Sequence, residues 1–492
     1  MARCMIVVFC FLAVFAVVSP SLAADASECR RLAEAAVARG DYARAADYFR
    51  QEAEIYRALG DADAAKIEAM KAERWSVELG LYRDVAPVAA DLRALYTGAK
   101  YEPVYGCYLG ACVEYDDHLA TAAGSRDEAL AGRVGKPLAV VYDYGKYGDD
   151  FPSGWARELR ESGIAPQIAW EPADLRQVLD DDYLREWARE AARCGGPIFL
   201  RFASEMNGDW TPYHGDPELY RRKFRLVHDV MARLAPNVAM IWCVNTVPEG
   251  NIERYYPGDE YVDWVGVNFY SVRYHDNDPD EPSVAEPPTA LLKYVYGKYA
   301  ARKPIAICEY GATHQDTVEK GTEYADWAVA KLQALFSALP RQFRRVKMID
   351  IFDCNNLTCE YSGRPFNNYC LTDNPRVQAG FQAAVAPDYF LSHPVAGGEQ
   401  GTLPTQVQEI RPGAVLRGTV ALTAWVKTWE PAPAATYEVD GKPVATVAGP
   451  GVYRYELDTA GLAAGAHTLA LVVRDGQGRE AGRREVGVTV ER

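Results

Sequence analysis

Between residues 101 and 391, eight short apolar segments alternate with stretches of helical periodicity. Each segment has the length of a strand buried on both faces, and such strands alternating with helices build parallel sheets. This pattern predicts a (β/α)8 TIM barrel, with a doubly wound open sheet as the alternative. No G-x-G-x-x-G motif follows an early strand, which argues against a dinucleotide site. The predicted strands are Val104–Leu109, Leu138–Tyr142, Ala165–Trp170, Ile198–Phe202, Val238–Val244, Trp264–Phe269, Ile305–Cys308 and Val346–Phe352.

Two of these strands end alike, in a glutamate that is followed closely by glycine. Glu205 lies within Pro197–Tyr213 and Glu309 within Lys303–Gly311, each after a proline and an apolar run. Barrel enzymes carry their chemistry at the C-terminal ends of the strands, although a glutamate there can also cap the next helix. Because the arrangement occurs twice, we predict a carboxylate pair of the kind that cleaves glycosidic bonds.

The residues around both glutamates resemble glycoside hydrolase family 26, a family of β-mannanase-like retaining (β/α)8-barrel enzymes. The motifs R-x-x-x-E-M-N-G-x-W around Glu205 and K-P-I-x-I-x-E-Y-G around Glu309 carry this resemblance, which extends over residues 101–391. It implies that Glu205 is the catalytic acid/base and that Glu309 is the nucleophile.

The resemblance also implies which residues hold the nucleophile and the sugar. Arg201 is expected to keep Glu309 anionic and Tyr270 to donate a hydrogen bond to it, although Arg201 could equally serve a structural ion pair. Strand-end aromatic rings suit the C–H faces of sugars, with packing at the barrel rim as the alternative. The predicted substrate-binding residues are Arg201, Asn207, Trp210, Trp170, Trp242, Asn245, Tyr270 and Phe352.

The sequence departs from the family pattern at two positions close to the sugar. Ser204 stands where the family has histidine, and Phe352 stands where related enzymes have tryptophan. We therefore predict cleavage of a β-linked polysaccharide, mannan or a related β-glycan. The alternative is a glycan-binding protein without catalytic activity on the same kind of barrel.

The charge of the chain excludes some classes of partner. It carries 53 Lys and Arg against 68 Asp and Glu, a net charge of −15. Such a surface argues against nucleic acid and against an anionic membrane, and it fits a polysaccharide or oligosaccharide substrate. No cysteine or histidine spacing resembles a zinc site, so we predict neither a metal nor another cofactor.

Disulfide bonds are an open question at this stage. Cys107 with Cys112 is one candidate pair, and a pair within Cys354, Cys359 and Cys370 is another. Either is compatible with an oxidising compartment.

Residues 1–24 have the three parts of a secretory signal peptide, with Arg3, an apolar run and a small-residue cleavage site at Ser21–Ala23. The apolar run is short for a membrane span. The sequence therefore predicts a secreted or periplasmic protein without a membrane anchor.

Helical periodicity covers residues 25–98, where Gly40, Gly60 and Gly80 recur at a spacing of 20. Aspartate follows the first two glycines, which predicts a helix end and a helix start at each. The pattern resembles a tetratricopeptide-type repeat, which implies a protein-binding module, with a helical cap on the barrel as the alternative.

After a barrel domain over residues 99–391, we predict a linker at residues 392–404 and an Ig-like β-sandwich at residues 405–492. Alternating apolar residues and Asp-Gly turn signals support the sandwich. Trp425 or Trp429 could bind glycan there, and a spacer role is the alternative.

Two long loops follow predicted barrel strands, Val272–Pro288 after the sixth and Cys354–Cys370 after the eighth. Long loops in compact domains are commonly functional. We expect both to wall a cleft at the barrel mouth.

Overall fold

A computed structural model describes residues 20–119, 125–359, 363–395, 405–429, 433–449, 451–474 and 478–492. Most of the predicted signal peptide and of the predicted linker lie outside these residues. The chain divides into two compact units after Trp75. None of the helices in these ranges combines the length and the apolar character that a membrane span needs.

From residue 20 onward the first unit has three helices, with helix ends and starts at Gly40 and Gly60 as the glycine pattern predicts. Asp41 and Asp61 cap the second and third helices by accepting from the backbone N–H of Arg44 and Ala64. Arg30 of the first helix pairs with the buried Glu52 of the second at 2.7 Å. The helices are α1 (Pro20–Ala38), α2 (Tyr42–Ala58) and α3 (Ala62–Arg74).

The helical prediction for residues 25–98 is wrong beyond Arg74. Residues Glu78–Val85 form strand β1, and only the short helix α4 (Ala89–Arg93) follows before the barrel. Strand β1 pairs with two strands from the far end of the chain, and such distant partners cannot be read from a local pattern.

The predicted barrel is confirmed as a closed sheet of eight parallel strands, in which the last strand pairs with the first. Two further short strands, Gln315–Asp316 (β9) and Asn367–Asn368 (β11), pair with each other beside it. A third, Phe390–Leu391 (β12), adds to β2. The barrel strands are β2 (Cys107–Cys112), β3 (Val140–Lys146), β4 (Ala165–Glu171), β5 (Ile198–Phe202), β6 (Val238–Asn245), β7 (Trp264–Ser271), β8 (Ile305–Ala312) and β10 (Val346–Phe352).

Helices surround the barrel, and amphipathic patterning explains their inward apolar faces. The helices are α5 (Arg126–Val134), α6 (Ser153–Glu161), α7 (Asp182–Cys194), α8 (Pro217–Leu234), α9 (Glu249–Ile252), α10 (Pro288–Tyr299), α11 (Ala325–Ala338) and α12 (Pro375–Val385). Short 3₁₀ turns occur at Leu175–Gln177, Glu253–Tyr255, Asp259–Tyr261, His275–Asn277 and Thr459–Gly461.

Successive residues of each barrel strand face opposite sides, so the barrel has two separate apolar cores. Phe199 of β5 belongs to the core inside the barrel, and Leu200 belongs to the core between strands and helices. Cys107 and Cys112 lie at opposite ends of the same strand, β2, which excludes a disulfide between them.

Two further sheets pack on a shared apolar core after the barrel. One sheet has the strand order β13-β1-β15-β18 and the other has β14-β20-β19-β16-β17. Trp425 is 2% exposed and packs into the outer core of the barrel, so it cannot bind glycan there. The strands are β13 (Gln406–Glu409), β14 (Ala414–Leu416), β15 (Thr419–Lys427), β16 (Ala434–Val439), β17 (Lys442–Ala448), β18 (Tyr453–Asp458), β19 (Gly465–Arg474) and β20 (Glu480–Val490).

Candidate active site

Glu205 stands on a strained turn directly after β5. Ala203 and Glu205 have φ angles of 51° and 58°, in the left-handed region that side chains other than glycine seldom adopt. The Glu205 N–H donates to the carbonyl oxygen of Cys243 at 3.0 Å, which ties the turn to β6. Strain of this kind persists only where surrounding contacts enforce it, and it clusters at functional sites.

Glu309 reaches the barrel mouth because β8 contains a bulge. The register of β7 against β8 shifts between Val267 and Asn268, so that Asn268 lies opposite Glu309. Cys308 faces the inner core and Tyr310 faces the helices, which leaves one extra residue between them. Regular alternation would have directed Glu309 toward the helices.

The Glu309 carboxyl group is surrounded by a cation and two phenols. Arg201 Nη2 lies 2.7 Å from Oε1, and the hydroxyl of Tyr144 donates to the same oxygen at 2.8 Å. The hydroxyl of Tyr270 donates to Oε2. Arg201 is fully buried and stacks 5.1 Å from the ring of Tyr142. These partners suit a carboxylate anion.

Among the residues that the structure describes, the hydrogen-bond donors to the Glu205 carboxyl group are all neutral. The amides of Asn268 and Asn245 donate to Oε1 at 2.9 and 3.1 Å, and the indole of Trp210 donates to Oε2 at 2.6 Å. Desolvation by the surrounding protein raises the pKa of Glu205, and the negative charge of Glu309 raises it further. A carboxyl group in this environment favours its protonated form.

One chain of contacts joins the two carboxyl groups. Asn268 donates to Glu205 through Nδ2 and accepts from Arg201 Nη1 at 3.4 Å, while Arg201 Nη2 holds Glu309. The arrangement therefore fixes both glutamates relative to a single buried guanidinium.

Of the predicted site residues, four contact the pair Glu205 and Glu309: Arg201, Trp210, Asn245 and Tyr270. Phe352 packs edge-on against Tyr270, with ring centroids 5.8 Å apart, at the same mouth. Trp210 and Tyr144 present 47% and 39% of their surface to solvent, which leaves aromatic faces open beside the carboxyl groups.

The substrate contacts predicted for Trp170 and Trp242 are wrong. Trp170 is 1% exposed and stacks on Trp187 of α7, with ring centroids 4.2 Å apart. Trp242 is fully buried against Tyr256 and Tyr299. Both side chains sit on the helix-facing side of their strands, because strand alternation directs them away from the barrel axis.

Asn207 does not face the cleft either. It is fully buried, and its amide donates to the carbonyl oxygens of Asn245 and Val247 at 2.9 and 3.1 Å. Its Oδ1 accepts from the Asn245 N–H at 3.0 Å. Asn207 thus holds the segment that carries Asn245, and its full burial keeps it out of reach of a sugar.

The prediction did not assign a role to three residues that touch the site. Tyr144 and Asn268 contact the glutamates directly, and Glu171 accepts a hydrogen bond from the backbone N–H of Ser204 at 3.1 Å. All three stand at or near the C-terminal ends of barrel strands, and this position is the sequence feature that could have indicated them.

The loops after β7, β8 and β10 contact one another at this end of the barrel. Arg273 and Tyr274 both contact Glu319, at 2.7 Å each, and Arg364 pairs with Asp276. The acidic loop Val272–Pro288 is thereby joined to the two loops beside it. Residues 360–362 of the other long loop lie outside the described residues.

A second acidic cluster lies near the mouth, where Asp116, Asp353 and Cys370 place oxygen and sulfur atoms within 4.8 Å of one another. Burial raises the pKa of Asp353 well above its usual range, and the charge of Asp116 adds to this effect. Burial and the neighbouring charge therefore favour the protonated form of the Asp353 carboxyl group.

Comparison with known proteins relates the chain to glycosidases. A family model described as Glycosyl hydrolase family 26 matches residues 173–285. Endoglucanase H of Acetivibrio thermocellus is 31% identical over 157 residues, 28% of this chain and 17% of the relative. Beta-1,3-xylanase TXYA of Vibrio sp. is 35% identical over 81 residues, 15% of this chain. The matched segments therefore span 17% of the length of either relative.

Among solved structures, GH26C from Muricauda sp. MAR_2010_75 has a TM-score of 0.46 at 17% identity, over 62% of this chain and 96% of its own. A GH26 β-mannanase from Bacteroides ovatus has a TM-score of 0.41 at 14% identity, over 62% of this chain and 95% of its own. The family match contains the motif around Glu205. Residues 173–285 are thus similar to the glycoside hydrolases of family 26.

Proposed function

We propose that this protein is a retaining glycoside hydrolase that cleaves β-linked polysaccharide, with Glu309 as nucleophile and Glu205 as acid/base. The observation that supports this assignment is the contrast between the partners of the two carboxyl groups. Glu309 contacts a buried guanidinium and two phenols, whereas Glu205 contacts two amides and an indole. One acid kept protonated beside one carboxylate is what double displacement requires.

In the first step, a Glu309 carboxylate oxygen bonds to the anomeric carbon while the glycosidic C–O bond breaks. Glu205 transfers its proton to the departing oxygen, so that the leaving sugar departs as a neutral alcohol. The product is a covalent glycosyl ester of Glu309 and an ionised Glu205.

In the second step, Glu205 takes a proton from a water molecule as that water attacks the same carbon. The ester bond breaks, and both glutamates return to their starting states. Arg201 compensates the charge on the departing Glu309 carboxylate, and Tyr144 and Tyr270 orient its two oxygens. Two inversions at one carbon retain its configuration.

The substrate is proposed to be a neutral β-glycan, mannan or one related to it. Two relatives carry the names of an endoglucanase and a β-1,3-xylanase, so proteins similar to parts of this chain are named for different β-glycans. Ser204 Oγ is buried without a hydrogen-bond partner among the described residues, next to the proposed acid/base. We propose that Ser204 and Phe352, in place of histidine and tryptophan, set the preference for the main-chain sugar.

Export completes the proposal, because a polysaccharide substrate lies outside the cell. Residues 1–24 are proposed to direct the chain to the periplasm or the medium. The role of helices α1–α3 as a protein-binding module remains a proposal as well, as does the Ig-like nature of the C-terminal sheets.

The test is a panel of β-mannans, β-glucans and β-xylans with two alanine variants. Glu309→Ala is expected to reduce turnover to background, because no glycosyl ester can form. Glu205→Ala is expected to lose about 10²–10⁴-fold on polysaccharide but to keep activity on glycosides with activated leaving groups. Added azide should then yield a β-glycosyl azide, visible by proton nuclear magnetic resonance.

Glu186→Ala on the exposed face of α7 serves as control, since the polar partners of Glu186 in the described part of the chain are Arg189 and Arg193 of the same helix. First-formed product of inverted configuration would contradict the assignment of Glu309 as nucleophile. Binding of a glycan without hydrolysis by the unaltered protein would favour the glycan-binding alternative instead.

A further inference from the structure

The carboxyl group of Glu171, at the end of β4, lies against the turn that carries Glu205. It accepts from the Ser204 N–H, with Oε2 at 3.1 Å and Oε1 at 3.4 Å. Its Oε2 also lies 2.5 Å from the hydroxyl oxygen of Tyr213. Among the described residues Glu171 forms no ion pair with lysine or arginine, and the nearby Arg201 pairs with Glu309 instead.

The Tyr213 hydroxyl oxygen has two close neighbours that are both acceptors when Glu171 is ionised. One is Glu171 Oε2 at 2.5 Å, and the other is the carbonyl oxygen of Ser204 at 2.6 Å. A phenol has a single proton to donate. Both contacts become hydrogen bonds only if Glu171 is protonated and donates to Tyr213, while Tyr213 donates to Ser204.

The surroundings of Glu171 are consistent with this proton. The pKa of Glu171 is raised to about 7, because desolvation outweighs the hydrogen bond from Tyr213 and the charge of Arg201, which both lower it. The titratable groups that face this cluster are Tyr213 and Glu205 of the loop after β5, Arg201 of β5 and Tyr220 of α8.

The hydrogen-bond chain from Glu171 through Tyr213 holds the peptide group that precedes Glu205. Ser204 lies between two residues in left-handed conformation, and both its N–H and its carbonyl oxygen are held by this chain. Its carbonyl group belongs to the same peptide plane as the Glu205 N–H, which donates to Cys243. Fixing that plane fixes the direction in which Glu205 leaves the backbone.

We propose that protonated Glu171, acting through Tyr213, is a positioning residue that aims the Glu205 carboxyl group at the glycosidic oxygen. This inference rests on the proposed function. Ionisation of Glu171 would draw the Tyr213 proton to the carboxylate and release the Ser204 carbonyl. The turn would then lose one of the contacts that hold it in a strained conformation.

The first test compares two kinds of substrate, because a misaimed acid matters most when the leaving group needs a proton. Tyr213→Phe is expected to lower kcat/KM on polysaccharide by about 10–100-fold, and on an aryl glycoside with an activated leaving group by less than about 3-fold. Tyr220→Phe is the matched control. Its hydroxyl is buried in the same region but donates to the Phe202 carbonyl oxygen.

Glu171 variants test whether the carboxyl group of Glu171 carries a proton. Glu171→Ala should resemble Tyr213→Phe, whereas Glu171→Gln should restore activity, because its amide donates to Tyr213 and accepts from Ser204 without titrating. An equal loss on both substrates in Tyr213→Phe would overturn the inference, as would a Glu171→Gln variant as impaired as Glu171→Ala. Melting temperatures identify any variant that has lost its fold.

Infrared difference spectroscopy separates failure of this inference from failure of the proposed function. Unaltered protein minus Glu171→Gln should show the C=O stretch of one protonated carboxylic acid at pH 6, whatever the protein hydrolyses. A carboxylate band in its place would mean that Glu171 is ionised, and the inference would be wrong.

Discussion

At the scale of single residues, the charge of the partners distinguishes the two glutamates. Glu309 interacts with Arg201, which is fully buried and has few other strong acceptors within reach. Glu205 interacts with the neutral side-chain amides of Asn245 and Asn268. The same residue type thus has charged partners at one position and neutral partners at the other, and burial beside Glu309 raises the pKa of Glu205.

Tyr270→Phe tests how far a single phenol orients the proposed nucleophile. Removing one hydrogen bond to a charged group costs about 1.5–3 kcal/mol, so kcat is expected to fall by about 10–100-fold. Tyr310→Phe is the matched control, because within the described ranges its hydroxyl has Ser271 as hydrogen-bond partner, on the helix-facing side of β8. Both variants are compared by steady-state kinetics and thermal unfolding. An unchanged kcat in Tyr270→Phe would show that Arg201 and Tyr144 are sufficient to orient the Glu309 carboxylate.

At the scale of elements, two local irregularities bring the carboxyl groups together. The bulge in β8 turns Glu309 inward, and the left-handed residues after β5 turn Glu205 toward it. A third adaptation lies deeper in the barrel, where Gly110 of β2 makes room for the buried side chain of Asp350 from β10.

Gly110→Ala is expected to destabilise the barrel strongly. An added Cβ would lie 1.9 Å from Asp350 Oδ1 and 2.9 Å from the Val140 carbonyl oxygen, which belongs to the backbone of β3 and cannot swing away. Overpacking of this kind costs about 1–3 kcal/mol or more of the free energy of unfolding. Urea denaturation measures the change.

Gly132→Ala in α5 is the control for that substitution. No atom lies within 4 Å of its added Cβ, so the variant should gain about 0.5–1 kcal/mol through helix propensity. A Gly110→Ala variant as stable as Gly132→Ala would show that β2 and β10 can separate without cost.

At the scale of the whole molecule, the C-terminal sheets are joined to the barrel by more than the predicted linker. Strand β1 precedes the barrel in sequence, yet it pairs with both β13 and β15, from Tyr82 opposite Glu409 to Glu78 opposite Lys427. Trp425 packs into the outer core of the barrel. The barrel segment is therefore held by the sandwich at both of its ends.

Cleavage of the chain between barrel and sandwich should leave the pieces associated. We would place a recognition sequence for a specific protease within residues 392–404 and digest the folded protein. Two fragments are expected on denaturing electrophoresis and a single species on gel filtration, because β1 stays inserted between β13 and β15. Fragments that separate without denaturant would show that β1 leaves its sheet easily. The unaltered protein under the same protease is the control.

The sequence by itself determined the barrel, its eight strands and the two glutamates, one just after β5 and one near the end of β8. Apolar runs of strand length and strand-end polar residues are local signals, and the structure has strands and strand-end polar residues where these signals predict them.

Only the tertiary structure decided which strand-end side chains face the cleft. Trp170 and Trp242 carry the same strand-end signal as Tyr270, yet alternation buries them under helices. A bulge reverses that alternation at Glu309, and β1 pairs with strands more than three hundred residues away. Register and distant pairing depend on partners that a local pattern does not contain.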